Sequence, residues 1–106
     1  MARVLACVDD LMLASRVGES LKAAGHEVEL APRLPNSTDS DVIVCDLETC
    51  DAAAVARLEP PSIGFFSHLD TETRAGAISA GIDLVIPRSR MSRELPVLVD
   101  RLLGPG

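Results

Sequence analysis

Two stretches of this chain are apolar without interruption and end in carboxylates. Val4-Leu5-Ala6-Cys7-Val8 is closed by Asp9-Asp10, and Val42-Ile43-Val44-Cys45 by Asp46. A strand that is apolar throughout is buried on both faces, which places both runs in a parallel sheet. Elsewhere the period changes. Residues 11–24 carry Leu13, Val17, Leu21 and Ala24 at helical spacing, with Gly25 as the stop. His26-Glu27-Val28-Glu29-Leu30 alternates polar and apolar, the pattern of a strand nearer the sheet edge. Residues 31–40 hold two prolines and several turn formers, predicting a loop or at most one helical turn. A short Ala-rich helix from Asp51 to Leu58 ends at Pro60-Pro61. Ser62-Ile63-Gly64-Phe65-Phe66-Ser67 reads as the fourth strand. Asp70 to Ala80 reads as a helix stopped by Gly81, and Asp83-Leu84-Val85-Ile86 as the fifth strand. Ser92 is placed to cap a last helix reaching about Leu103, with Pro96 in its first turn, where a missing N–H costs little. Gly104-Pro105-Gly106 reads as a frayed end.

Strands alternating with helices predict a parallel sheet joined by right-handed crossovers. The chain of 106 residues has the size of one small domain, with no internal repeat and no linker. It is 47% hydrophobic and 25% charged, which predicts an ordered core. With two Phe and no Trp or Tyr, that core is aliphatic. A net charge of −6 argues against direct binding of nucleic acid, which needs a basic face. No apolar run is long enough to span a membrane. Met1-Ala2-Arg3 leads into a strand without signal-peptide form, so the expected location is the cytoplasm.

The three cysteines make no disulfide framework. Cys7 and Cys45 fall inside strands, as small core residues do. Cys50 stands in the loop four residues past Asp46, reactive or merely packed, with the packed reading preferred. Its spacing from Cys45 is not that of a zinc site. His26 and His68 read as solvated residues beside loops.

Ligands of open α/β sheets bind outside the carboxyl ends of the strands. Those ends carry Asp9 and Asp10, Asp46, Ser67 with His68 beside it, and Pro87-Arg88-Ser89. Adjacent carboxylates suit a hard divalent cation. A carboxylate, a hydroxyl and a cation around one pocket suit phosphoryl transfer, with the carboxylate as acceptor.

In these intervals the chain resembles the receiver domain of bacterial response regulators, nearly end to end. Val8-Asp9-Asp10 resembles that family's acidic motif, and Lys22-Ala23-Ala24-Gly25-His26-Glu27-Val28 its passage from first helix to second strand. Asp46-Leu47-Glu48 resembles the phosphoacceptor segment, Phe66-Ser67-His68 the strand-four hydroxyl and its neighbour, and Ala77-Ile78-Ser79-Ala80-Gly81-Ile82-Asp83 the approach to strand five. The resemblance implies a flavodoxin-like three-layer α/β/α sandwich with strand order 2-1-3-4-5 and a second helix short or missing. It implies that Asp46 accepts a phosphoryl group. Mg²⁺ would be held by Asp9, Asp10, Asp46 and the backbone carbonyl of Glu48. Ser67 would bond the phosphoryl oxygens, and Arg88 would stand where the family has lysine. The implied partners are a histidine kinase or phosphotransfer protein. A second copy is possible on the face made by the 70–80 helix, the fifth strand and the last helix, where Arg90 and Arg93 join Arg88 in a basic cluster. Such a module is not an enzyme beyond self-catalysed phosphotransfer and dephosphorylation.

The departures from the family are specific. Arginine replaces lysine at 88, Ser89 stands where a cis-proline is usual, Val85 replaces the aromatic switch residue, and Cys50 replaces a proline. They open the alternative of a degenerate pseudo-receiver, an interaction module independent of phosphorylation. Two further classes are a flavodoxin-like nucleotide binder and an aspartyl-phosphate hydrolase. No Gly-rich loop follows the first strand, which disfavours the former. The latter has its acid spacing in Asp46-Leu47-Glu48 but no substrate-cap insertion.

Overall fold

The computed structural model describes residues 2–67 and 71–104 and leaves out the side chain of Ser92. The expected apolar runs become strands β1 (Arg3–Cys7), β3 (Val42–Asp46) and β4 (Ser62–Phe66); β2 is Glu27–Ala31 and β5 is Leu84–Pro87. All are parallel, in the order β2-β1-β3-β4-β5. Every residue of β3 and β4 is buried, as their unbroken apolar sequence requires, whereas β2 at the edge alternates toward solvent.

Helix α1 (Leu11–Ala23) begins where Asp10 Oδ1 accepts the N–H groups of Met12 (2.9 Å) and Leu13 (3.1 Å). Its buried face is Leu13, Ala14, Val17, Gly18 and Leu21. It ends in a Schellman pair: Gly25 N–H donates to Lys22 O at 3.0 Å and His26 N–H to Leu21 O at 3.0 Å. The required left-handed residue is Gly25, at φ 92°. Helix α2 (Ala52–Ala56) is capped by Asp51, and α3 is Thr71–Ala80. Residues 32–40 contain no helix; Leu34 from this loop packs where a second helix would otherwise cover the sheet.

The last helix, α4 (Arg88–Leu103), departs from expectation. It starts directly after Pro87, four residues before Ser92, and Pro96 lies in its interior rather than its first turn. The polar run Arg88-Ser89-Arg90 looks like a turn in sequence, but its residues form the first turn of the helix. Met91, Leu95, Leu98 and Val99 are then spaced to bury one face against α1 and the sheet. That burial outweighs the backbone bond Pro96 cannot donate.

Two apolar layers result, and the core is not wholly aliphatic as expected, since Phe65 is fully buried in the first. One joins β1, β3 and β4 to α1 and α4 through Leu13, Val17, Leu21 and Leu95. The other lies under α2 and α3, with Leu5, Ile43, Val55, Ala77 and Ile82. His26 is buried, contrary to expectation. Its Nδ1 accepts the N–H of Ala2 at 3.1 Å, and its Nε2 lies 3.2 Å from Asp100. No helix among the described residues is long and apolar enough to cross a membrane.

Candidate functional site

Parallel strands bring their carboxyl ends to one edge, so β1 delivers Asp9 and Asp10, β3 delivers Asp46, β4 delivers Ser67 and β5 delivers Arg88 to the same edge. His68 and Asp70 lie outside the described residues. Asp46 is 6% exposed. Its Oδ1 accepts the N–H of Glu48 at 3.0 Å. Its Oδ2 accepts no hydrogen bond among the described residues. Burial raises the pKa of Asp46, and the carboxylates of Glu48 and Asp10 raise it further. The Glu48 N–H and the charge of Arg88 pull it back down.

The two acids after β1 are not equivalent. Asp10 stands close enough to oppose ionisation of Asp46 while spending Oδ1 on the cap of α1. Asp9 is exposed and lines a groove of about 460 Å³ between α1 and the end of β2, with Leu11, Gly18, Lys22 and Leu30. Among the described residues, no group of three or more His, Cys, Asp or Glu side chains is placed to hold a metal ion. The hard oxygen donors at this edge are the carboxylates of Asp10 and Asp46 and the Glu48 carbonyl, the ligand type of Mg²⁺, an ion commonly held by one or two carboxylates while it keeps several waters.

Ser67 is exposed and already engaged. Its hydroxyl and its N–H (3.3 Å) both donate to Glu48 Oε1. The side chain of Glu48 therefore enters the site, where the receiver resemblance assigned only its carbonyl. Arg88 is exposed and forms no ion pair with Asp46 among the described residues.

The sulfurs of Cys7 and Cys50 lie 3.1 Å apart beside these groups. Cys45, the register partner of Cys7 on β3, completes a trio facing the same layer. Burial pushes the Cys45 thiol up to about 12. Hydrogen bonding between Cys7 and Cys50 lowers the half-buried Cys50 thiol and raises that of Cys7. No local motif signals this pair, since 43 positions separate its members.

Solved structures decide the fold. The receiver domain of Francisella response regulator 1452 matches at 21% identity and a TM-score of 0.84 over 97% of each chain. This is the receiver fold. The ChxR receiver domain from Chlamydia trachomatis matches at 16% identity and a TM-score of 0.71, over 97% of this chain and 98% of its own. NtrX from Brucella abortus, in complex with ADP, matches at 19% identity and a TM-score of 0.80, over 96% of this chain and 27% of its own. No protein-family model and no curated protein matches the sequence.

Within the receiver fold, the β5 edge and α4 form a groove of about 380 Å³ lined by Val85, Arg90, Arg93, Val97 and Arg101. Arg90 is held by Glu94 through Nε and, at 2.6 Å, through Nη2. Arg93 and Arg101 form no ion pair among the described residues, leaving this face basic in an acidic chain. Val97 on this face is 59% exposed.

Proposed function

We propose that the chain is the receiver module of a phosphorelay, in which Asp46 takes the phosphoryl group. One observation carries the reading: a carboxylate buried at the end of the central strand has Oδ1 held by the Glu48 N–H and Oδ2 without a hydrogen bond among the described residues. The Glu48 N–H fixes Oδ1, so Oδ2 is the natural nucleophile for in-line attack on phosphorus. Arg88 and the first-turn N–H groups of α4 stand at the same edge as positive charge for the equatorial oxygens.

Asp10, Asp46 and the Glu48 carbonyl would hold Mg²⁺, with Asp9 in support from the groove side. The ion would supply charge neutralisation for the transferred group. The donor would be a histidine kinase or phosphotransfer protein, and the module would be no enzyme toward a separate substrate. The basic β5–α4 face would meet an acidic partner or a second copy. The compartment consistent with such a relay is the cytoplasm.

A second reading has its own observation. The Ser67 hydroxyl is bonded to Glu48 rather than turned to an incoming group, which favours a receiver that works without phosphorylation. Incubation with acetyl phosphate and Mg²⁺, followed by intact mass, separates the two. One added phosphoryl group in wild type and none in Asp46→Asn supports the relay. No addition in either favours the pseudo-receiver.

A further inference from the structure

The trio of thiols is used by neither reading. Cys50 is half-buried in the loop following β3, and Cys7 is fully buried at the last position of β1. Cys50 Sγ lies 3.1 Å from Cys7 Sγ and 3.4 Å from the Cys7 carbonyl oxygen. A disulfide needs its sulfurs about 2.05 Å apart, so closing the bond takes a shift of roughly 1 Å. The loop is also anchored by Cys50 N–H donating to Asp46 O at 2.8 Å, so its backbone presents Cys50 to Cys7 in one arrangement.

We propose that Cys7 and Cys50 are a peroxide-responsive dithiol whose intramolecular disulfide fastens the loop behind Asp46 to the end of β1. The partner chemistry is a hydroperoxide. Cys50, the accessible member, attacks the peroxide oxygen; the O–O bond breaks, and the leaving oxygen departs as water or alcohol carrying the thiol proton. Cys50 is then a sulfenic acid. The Cys7 sulfur attacks the Cys50 sulfur, the S–S bond forms, the S–O bond breaks, and hydroxide leaves with the Cys7 proton as water. Two thiols lose two electrons and two protons, and the peroxide is reduced. Cys45 is enclosed, and no hydrogen-bond contact joins its sulfur to either partner among the described residues, so it stays reduced.

The fastened loop is the one carrying Glu48, the partner of Ser67. Oxidation would thus fix the arrangement of that side of the site, whether or not Asp46 is ever phosphorylated.

The test treats the full chain with hydrogen peroxide, quenches, alkylates and maps peptides. The expected product lacks two hydrogens, contains one Cys7–Cys50 cross-linked peptide, carries alkylated Cys45, and reverts with dithiothreitol. Amide exchange across residues 47–51 should slow in the oxidised protein. Cys50→Ser should lose the cross-link while keeping the wild-type fold by circular dichroism. Four results would each overturn the proposal: over-oxidation of Cys50 without cross-linking, a disulfide to Cys45, a disulfide between two molecules, or thiols all free after peroxide. None of these readouts requires phosphorylation, so a protein that never accepts phosphate still tests the proposal.

Discussion

Glu48 Oε1 accepts both the hydroxyl and the N–H of Ser67, joining the loop after β3 to the end of β4 across the mouth of the site. The same carboxylate opposes ionisation of Asp46. Glu48 therefore acts on two candidate functional groups at once. Replacing it with glutamine removes the charge and weakens the hold on Ser67. Glu48→Gln should label with acetyl phosphate about fivefold faster, the worth of roughly 1 kcal/mol for one exposed hydrogen bond. An unchanged or slower rate would mean that the Ser67 tie does not restrain transfer.

Asp10 has two separable duties, and two substitutions divide them. Asparagine caps a helix as well as aspartate, so Asp10→Asn keeps α1 intact while relieving carboxylate repulsion. It should melt no lower than wild type without metal and lose the Mg²⁺-induced rise in Tm. Asp10→Ala forfeits the cap as well, at about 1 kcal/mol, or roughly 4–8 °C. A full Mg²⁺ response in Asp10→Asn would remove Asp10 from the metal site.

The raised pKa of Asp46 makes a signed statement about stability. A carboxyl whose pKa is higher folded than unfolded binds protons better in the native state. Its charged form therefore destabilises the fold above the raised value, and the penalty fades as pH falls toward the ordinary 3.8. Asp46→Asn should raise Tm at neutral pH without metal, and the gain should vanish below about that ordinary value. Thermal melts from neutral to acid pH check this; a gain that persisted unchanged in acid would point to packing instead.

Gly64 is required by its neighbour across the sheet. A Cβ there would sit 2.8 Å from both Leu47 Cγ and Cδ2 and 2.9 Å from Cδ1, so the whole isobutyl group, branch carbon included, would have to move. Gly64→Ala should cost about 1–3 kcal/mol, seen as a lowered midpoint in urea with an unchanged slope. Pairing it with Leu47→Ala should recover part of the loss, because the clash disappears; strictly additive losses would show that the two do not interact.

The strands were legible because burial on both faces writes itself as an unbroken apolar run, as in Val42-Ile43-Val44-Cys45. The first helix was legible from Leu13, Val17 and Leu21 at helical spacing and from Gly25 as its stop, whereas the cap by Asp10 came only with the structure. What escaped depends on partners distant in sequence. His26 looks like a polar loop residue until Ala2 and Asp100 come to its two nitrogens. Arg88-Ser89-Arg90 carries no capping signal, and only packing of Met91 and Leu95 draws the helix back over it. Asp46, Asp10, Ser67 and Arg88 reach one edge of the sheet as the order of strands implied. The engagement of Ser67 by Glu48 was not legible, since a carboxylate two residues past Asp46 has no pattern that says where its side chain turns.

Pro87 is both the last residue of β5 and the N-cap of α4, with no residue between strand and helix. The junction has no slack residue, and Pro87 has its φ restricted near −65°. The 16 residues of α4 extend about 24 Å at 1.5 Å per residue. A tilt of about 5° imposed at Arg88 would sweep the far end near Leu103 through roughly 2 Å, by the length of that arm. The chain has no aromatic ring at Val85 to rotate, but any shift at Arg88, whose charge is felt by Asp46, would be magnified along this arm.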